Sequence, residues 1–209
     1  GKVVIKKFDV QIFPRYHQLD VIRKIKNNVK QEGVGHNYLI QHTTGSGKSY
    51  SIGWLSHTLT SLYQKDGDTK RMFDTILVVT DRKVLDKQLQ NTVSKLEQTG
   101  GVVNPVEMGS KQLKEYLEKG KDIIITTIQK FPFVSEVISE LKGHTFGVVI
   151  DEVHSSQTGE TSKHLKKSLS LDEDEAEELD YEEVIRKEID SRGKQEHISF
   201  FGFTGTPKN

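Results

Sequence analysis

Gly45-Ser46-Gly47-Lys48-Ser49 has the residue types and spacing of a loop that holds phosphate. Gly45 and Gly47 let the backbone curl so that successive N–H groups point inward at phosphate oxygens. Lys48 can then reach the β- and γ-phosphates, and the Ser49 hydroxyl can ligate Mg²⁺. The full run is His42-Thr43-Thr44-Gly45-Ser46-Gly47-Lys48-Ser49. The general pattern carries Gly or Ala at its first place, and this chain has His42 there. Apolar Tyr38, Leu39 and Ile40 precede the loop, and Ile52, Leu55, Leu59 and Leu62 follow it at three- and four-residue spacing. A strand therefore enters the loop and an amphipathic helix leaves it. The implied chemistry is nucleotide binding.

A second site of possible chemistry follows the run Phe146-Gly147-Val148-Val149-Ile150, whose β-branched composition reads as a buried parallel strand. It leads into Asp151-Glu152-Val153-His154. Open α/β sheets bind ligands at the carboxyl ends of their strands. There Asp151 can hold the Mg²⁺ shell, and Glu152 can orient and deprotonate an attacking water. Alone, the two acids could as well cap the next segment; beside a phosphate loop, the catalytic reading prevails. A third apolar run, Ile198-Ser199-Phe200-Phe201-Gly202-Phe203, leads into Thr204-Gly205-Thr206-Pro207.

With these three elements in this order, the chain resembles the superfamily 2 helicases and translocases. Lys48-Ser49 looks like motif I of that group, Asp151-Glu152-Val153-His154 like the DExH form of motif II, and Thr204-Gly205-Thr206 like motif III. Within the superfamily the chain is most similar to the motor (R, restriction) subunit of type I restriction enzymes. Six blocks carry that likeness in the family's order from Arg15 to Asn209: RYHQLDVI, QHTTGSGKS, VVTDRKVLDKQL, TTIQKF, VVIDEVHSSQTG and FGFTGTPKN. The resemblance implies a RecA-like first motor domain in which the strand ending at Asp151 does not directly neighbour the loop strand. It also implies ATP and Mg²⁺ as cofactors and translocation on double-stranded DNA. A second RecA-like domain and an upstream nuclease domain are expected elsewhere in the parent chain, with methyltransferase and specificity subunits as partners.

The same resemblance assigns secondary sites. Gln18 looks like the adenine-reading glutamine, with Arg15 and Tyr16 nearby; its amide offers a donor and an acceptor to an adenine edge. Thr80 and Arg82 resemble motif Ia, and Thr126 and Thr127 motif Ib, which in the family hold the backbone of the tracked strand. Thr204 and Thr206 resemble the coupling motif, and His154 would bridge it to the ATP site. Two rivals stay open: a DExH helicase of DNA repair or RNA metabolism, and a nucleotide-gated binding module whose site is chemically idle. The eight histidines suggest no metal site, because His154, His164 and His197 lack ligand spacing. Phe131 and Phe133, either side of Pro132, read as core rather than as a base-stacking platform.

Positioning these groups takes five strand–helix units, the alternation of a mostly parallel sheet with helices on both faces. The spacing predicts strands at Tyr38–Gln41, Thr75–Thr80, Asp122–Thr126, Gly147–Asp151 and Ile198–Phe203. Helices are predicted at Lys48–Tyr63, Lys83–Leu96, Lys111–Glu118 and Phe133–Leu141. An opening helix is expected with Pro14 in its first turn and Val21, Ile22, Ile25 and Val29 on its buried face, ended by Gly33 and Gly35. Residues 1–13 read as a lead-in from an upstream domain, 14–209 as the motor domain, and 172–191 as an inserted acidic helix. The 209 residues carry 30 basic and 30 acidic groups. Asp172 to Glu183 holds nine of those acids and no base, which leaves 21 acids against 30 bases, or about +9, in the remainder. That remainder suits a phosphate backbone. The absence of cysteine excludes disulfide and thiolate-zinc scaffolds. No apolar run is long enough to span a membrane, and the chain is expected in the cytoplasm.

Overall fold

A computed structural model describes residues 12–43, 45–65, 67–80, 83–97, 100–127, 130–141, 143–151 and 196–205. Its elements are α1 (Tyr16–Glu32), β1 (Asn37–Gln41), α2 (Lys48–Thr60), β2 (Thr75–Thr80), α3 (Lys83–Lys95), β3 (Val103–Pro105), α4 (Ser110–Glu118), β4 (Ile123–Thr127), α5 (Phe131–Glu140), β5 (Phe146–Ile150) and β6 (Ile198–Thr204). The six strands form one sheet in the order β1-β6-β5-β2-β4-β3. Every pairing is parallel. All carboxyl ends therefore lie along one edge, and β6 separates β5 from β1 as the resemblance implied.

Alternation along each strand sends side chains to two cores. Ile40, Ile76, Val78, Ile123, Ile125, Val149, Phe201 and Phe203 face α1, α2 and α3. Leu77, Val79, Ile124, Phe146, Val148 and Ile150 face α4 and α5. Helices thus cover both faces, which explains why β2, β4 and β5 are buried at every residue. The stripe Ile52, Leu55, Leu59 and Leu62 is at most 1% exposed, and it anchors the helix that leaves the phosphate loop. Ile22, Ile25 and Val29 form the buried face of α1, with Val21 packed at its margin. Phe133 packs against the second core, in agreement with a packing role.

Four expectations need correction. A sixth strand, β3, is present; it has three residues, ends in a proline and lies at the sheet edge, so it has no periodicity to read. Pro14 precedes α1 rather than entering it: Arg15 is extended at φ −67° and ψ 159°, and its N–H donates to Gln18 Oε1 at 2.8 Å, closing the first turn one residue later. Helix α2 stops at Thr60 because the chain turns out to an antiparallel bridge between Tyr63 and Arg71. Conversely, Pro132 falls in the first turn of α5, so that helix begins two residues earlier than its apolar stripe suggested. The lead-in up to residue 11 and the acidic helix near 172–191 lie outside the described residues.

Candidate nucleotide site

Hydrogen bonding between parallel strands stops at the carboxyl edge, and the residues just past it converge. The loop leaves β1 at His42, whose N–H donates to Thr204 O at 2.8 Å on neighbouring β6. Gly45 and Gly47 sit at φ +77° and +87°, the left-handed region that L side chains avoid. Gly47 is also the N-cap of α2, so the helix opens directly out of the turn. The first bonds of this helix run from the Tyr50 and Ser51 N–H groups to Gly47 O, and the N–H groups ahead of them make a terminus that suits an anion. Lys48 and Ser49 are the first two residues of that helix.

Asp151 stands immediately past β5, its N–H donating to Val79 O at 2.9 Å and so continuing the ladder with β2. Two interstrand steps, about 10 Å, separate β5 from β1. Lys48 spans them: its Nζ lies 3.2 Å from Asp151 Oδ1, with the two side chains only 16% and 11% exposed. The sheet therefore brings together two groups that are more than a hundred positions apart in sequence.

Three further side chains converge on Ser46 and Gly47. Gln18 is buried, and its Nε2 donates to Gly47 O at 3.0 Å and to Ser46 O at 3.4 Å. His17 Nε2 lies 3.1 Å from Ser46 O. His42 Nδ1 lies 2.8 Å from Ser46 Oγ. The ring of His42 is 5% exposed, packed edge-on to His17 at 5.7 Å and tilted against Phe203 at 5.8 Å. Burial first, then the nearby His17 and Lys48, holds its pKa below the ordinary histidine value. The contacts of His17 and the brace from His42 were not visible in the sequence, which marked His42 only as a departure from the usual glycine or alanine.

A Cβ on Gly47 would meet Gln18 Nε2 at 2.6 Å, and φ +87° would strain any side chain there. Gly47→Ala is therefore expected to weaken ATP binding about tenfold or more, the cost of a left-handed alanine being about 1–2 kcal/mol before Gln18 shifts. Isothermal titration of wild type and variant with ATP measures it; equal affinities would refute it.

The remaining positions divide. Arg15, Gln18, Gly45, Ser46, Gly47, Lys48, Ser49, Asp151 and Thr204 all lie at this edge or on the start of α1 beside the loop. Thr80, Thr126 and Thr127 lie at the carboxyl ends of β2 and β4 on the same edge and are buried residues. Thr44, Arg82, Glu152, His154 and Thr206 lie outside the described residues.

This arrangement of a helix-opening loop, a lysine and a strand-end aspartate fits an oxygen-rich metal–phosphate group. Asp151 and Ser49 offer hard oxygen donors of the kind Mg²⁺ prefers. The sequence model of the SWI2/SNF2 ATPase matches residues 17–209. The chain belongs to the SWI2/SNF2 ATPase family. Among its relatives, a type I restriction enzyme endonuclease subunit of Staphylococcus saprophyticus is 27% identical over 83% of this chain and 15% of its own length. The HindI endonuclease subunit of Haemophilus influenzae is 32% identical over 79% of this chain and 14% of its own. The chain thus spans about 15% of the length of the curated relatives it matches.

Two solved structures share the RecA-like fold of this SWI2/SNF2 domain. One is a nuclease-deletion mutant of the type ISP restriction-modification enzyme LlaGI in complex with a DNA substrate mimic (TM-score 0.59, 14% identity, 93% of this chain and 18% of that one). The other is the Hef helicase domain of Pyrococcus furiosus (TM-score 0.55, 14% identity, 94% of this chain and 33% of that one). Among the described residues no helix is long and apolar enough to cross a membrane.

Proposed function

We propose that this SWI2/SNF2 domain is the first lobe of a DNA-translocating motor in the restriction subunit of a type I restriction–modification enzyme. The observation that carries the reading is the 3.2 Å approach of Lys48 to Asp151 at the carboxyl edge of the sheet. The relatives named as type I endonuclease subunits support restriction over repair.

In this reading the loop amides and Lys48 hold the β- and γ-phosphates, while Ser49 and Asp151 hold Mg²⁺. When bound, that ion neutralises charge on the phosphate oxygens. Phosphoryl transfer is largely positioning and charge stabilisation, and Lys48 supplies a fixed cation where charge spreads in the transition state. Glu152 takes the proton of the attacking water. Gln18 and Arg15 stand at the adenine side, with Thr44 and Ser46 in the loop. Thr204, Thr206 and His154 transmit the nucleotide state; the direct hydrogen bond from His42 to Thr204 supports such a link. In this reading Thr80, Arg82, Thr126 and Thr127 contact the duplex, and the basic excess outside residues 172–183 favours such contact. A second RecA-like lobe, a nuclease domain and the methyltransferase and specificity subunits complete a cytoplasmic enzyme.

The test is made on the full-length parent with its partner subunits. ATP turnover should rise with duplex DNA, and a triplex-forming strand bound downstream should be displaced without separation of the duplex. Unwinding of that duplex would favour a DExH helicase instead, and absence of turnover a nucleotide-gated module.

A further inference from the structure

The phosphate loop is braced by a side chain where the general pattern has none. We infer that His42 is a positioning residue of the motor: through Ser46 it holds the loop in its phosphate-accepting curl, and it ties that curl to the end of β6. The inference rests on the nucleotide-site reading above and deepens it.

Four contacts of this one residue carry the argument. Its backbone N–H donates to Thr204 O at 2.8 Å. Its ring packs on Phe203, the residue before Thr204, at 5.8 Å. Nδ1 lies 2.8 Å from Ser46 Oγ, so either tautomer pins the hydroxyl. His17 closes the far side at 5.7 Å and its own Nε2 lies 3.1 Å from Ser46 O. Ser46 is therefore gripped at both its side chain and its carbonyl, one residue before Gly47 and two before Lys48. Glycine or alanine at position 42 could make only the backbone contact.

The geometry also explains why the grip is local. Among the described residues nothing lies within 4 Å of the position of a Cβ on Gly45. A glycine-rich turn without packing has many conformations, and loss of that freedom on binding weakens affinity. Two buried side chains, Gln18 and His42, and the exposed His17 reduce it beforehand. His42 also touches β6, so a movement of Thr204 with the nucleotide state can reach Ser46 through it.

The experiment uses the full-length motor subunit and measures ATP dissociation constants by fluorescence with a labelled ATP analogue and by unlabelled competition. His42→Gly, the residue of the general pattern, should weaken ATP about five- to tenfold, the range of one net hydrogen bond. His42→Asn keeps a donor and an acceptor near the position of Nδ1 and should stay within about twofold of the parent. In a Ser46→Ala background, His42→Gly should add less than about twofold, since both changes remove the same contact. Parent-like affinity in His42→Gly, equal loss in His42→Asn, or full additivity with Ser46→Ala would each overturn the inference. Should His42→Gly fail to fold, His42→Asn and Ser46→Ala decide alone: normal binding by the first and weak binding by the second support it, and weak binding by the first overturns it. Lys48→Ala in the same assay separates the two levels of the argument. If it binds ATP as the parent does, the nucleotide-site reading itself is wrong; if it loses ATP while His42→Gly does not, only the brace is wrong.

Discussion

Lys48→Ala in the full-length protein is expected to reduce DNA-stimulated ATP turnover by about 10³-fold or more and to weaken ATP binding in parallel. Two losses combine. A fixed cation aimed at charge that develops in the transition state contributes about 10²–10³ in rate at sites of this type. Its removal also takes a cation from the β- and γ-phosphates in the ground state, so affinity falls with rate. The structure adds a reason to expect a large effect: Lys48 is mostly buried and its ammonium already lies at the strand-end carboxylate of Asp151, 3.2 Å away. A charge held in a poorly hydrated place interacts more strongly than one in water.

That same ion pair demands a control, because loss of one partner of a shielded pair can destabilise the fold. Thermal unfolding of Lys48→Ala and Lys48→Met should be compared. The methionine keeps the packing of the aliphatic stem and should leave turnover as low as alanine does. Turnover within tenfold of the parent in either variant would remove Lys48 from the phosphate site.

How far the sequence predicts this site depends on the distance over which each contact acts. The loop was legible because its requirements are local: glycines that adopt positive φ, then a lysine and a hydroxyl at the start of an amphipathic helix. Asp151 was legible for the same reason, as an acid directly after a β-branched run. That both meet at one place needed the strand order. Spacing could not supply it, and the resemblance to superfamily 2 motors did; β6 does lie between β1 and β5. Strand β3 escaped because three residues ending in Pro105 have no period. The brace on Ser46 escaped because it joins positions 17, 42, 46 and 203, contacts that no window along the chain contains.

Gln18 shows a subtler limit. Its type and neighbours suggested an adenine reader, yet in this structure its Nε2 donates to the carbonyls of Ser46 and Gly47 and its Oε1 accepts from Arg15. A buried amide that lacked those partners would be costly, and these contacts satisfy it within the protein. Thr80, Thr126 and Thr127 make a related point: their places at strand ends were legible, and their burial was not.

Glu152→Gln separates binding from chemistry and carries the other large effect. ATP affinity should stay within about threefold of the parent, while DNA-stimulated turnover falls about 10²–10⁴-fold, the usual contribution of a positioned general base. The substitution keeps size and hydrogen-bonding capacity but removes the ability to take a proton. The argument for Glu152 is one of division of labour at adjacent positions. Asp151 faces the loop, where Lys48 meets it at 3.2 Å, and in the proposed site it is a ligand of Mg²⁺ rather than a partner of the water. The next acid in the chain, Glu152, is then the group available to take a proton from water.

Quench-flow hydrolysis and equilibrium ATP binding on the same preparation measure the two quantities. An idle, nucleotide-gated module would show no difference between the parent and Glu152→Gln in either. A structural acid that caps the following segment would lower thermal stability and binding along with rate. Only a proton-accepting role predicts unchanged stability and near-normal affinity with turnover lost, the opposite pattern to Lys48→Ala, in which affinity and rate fall together.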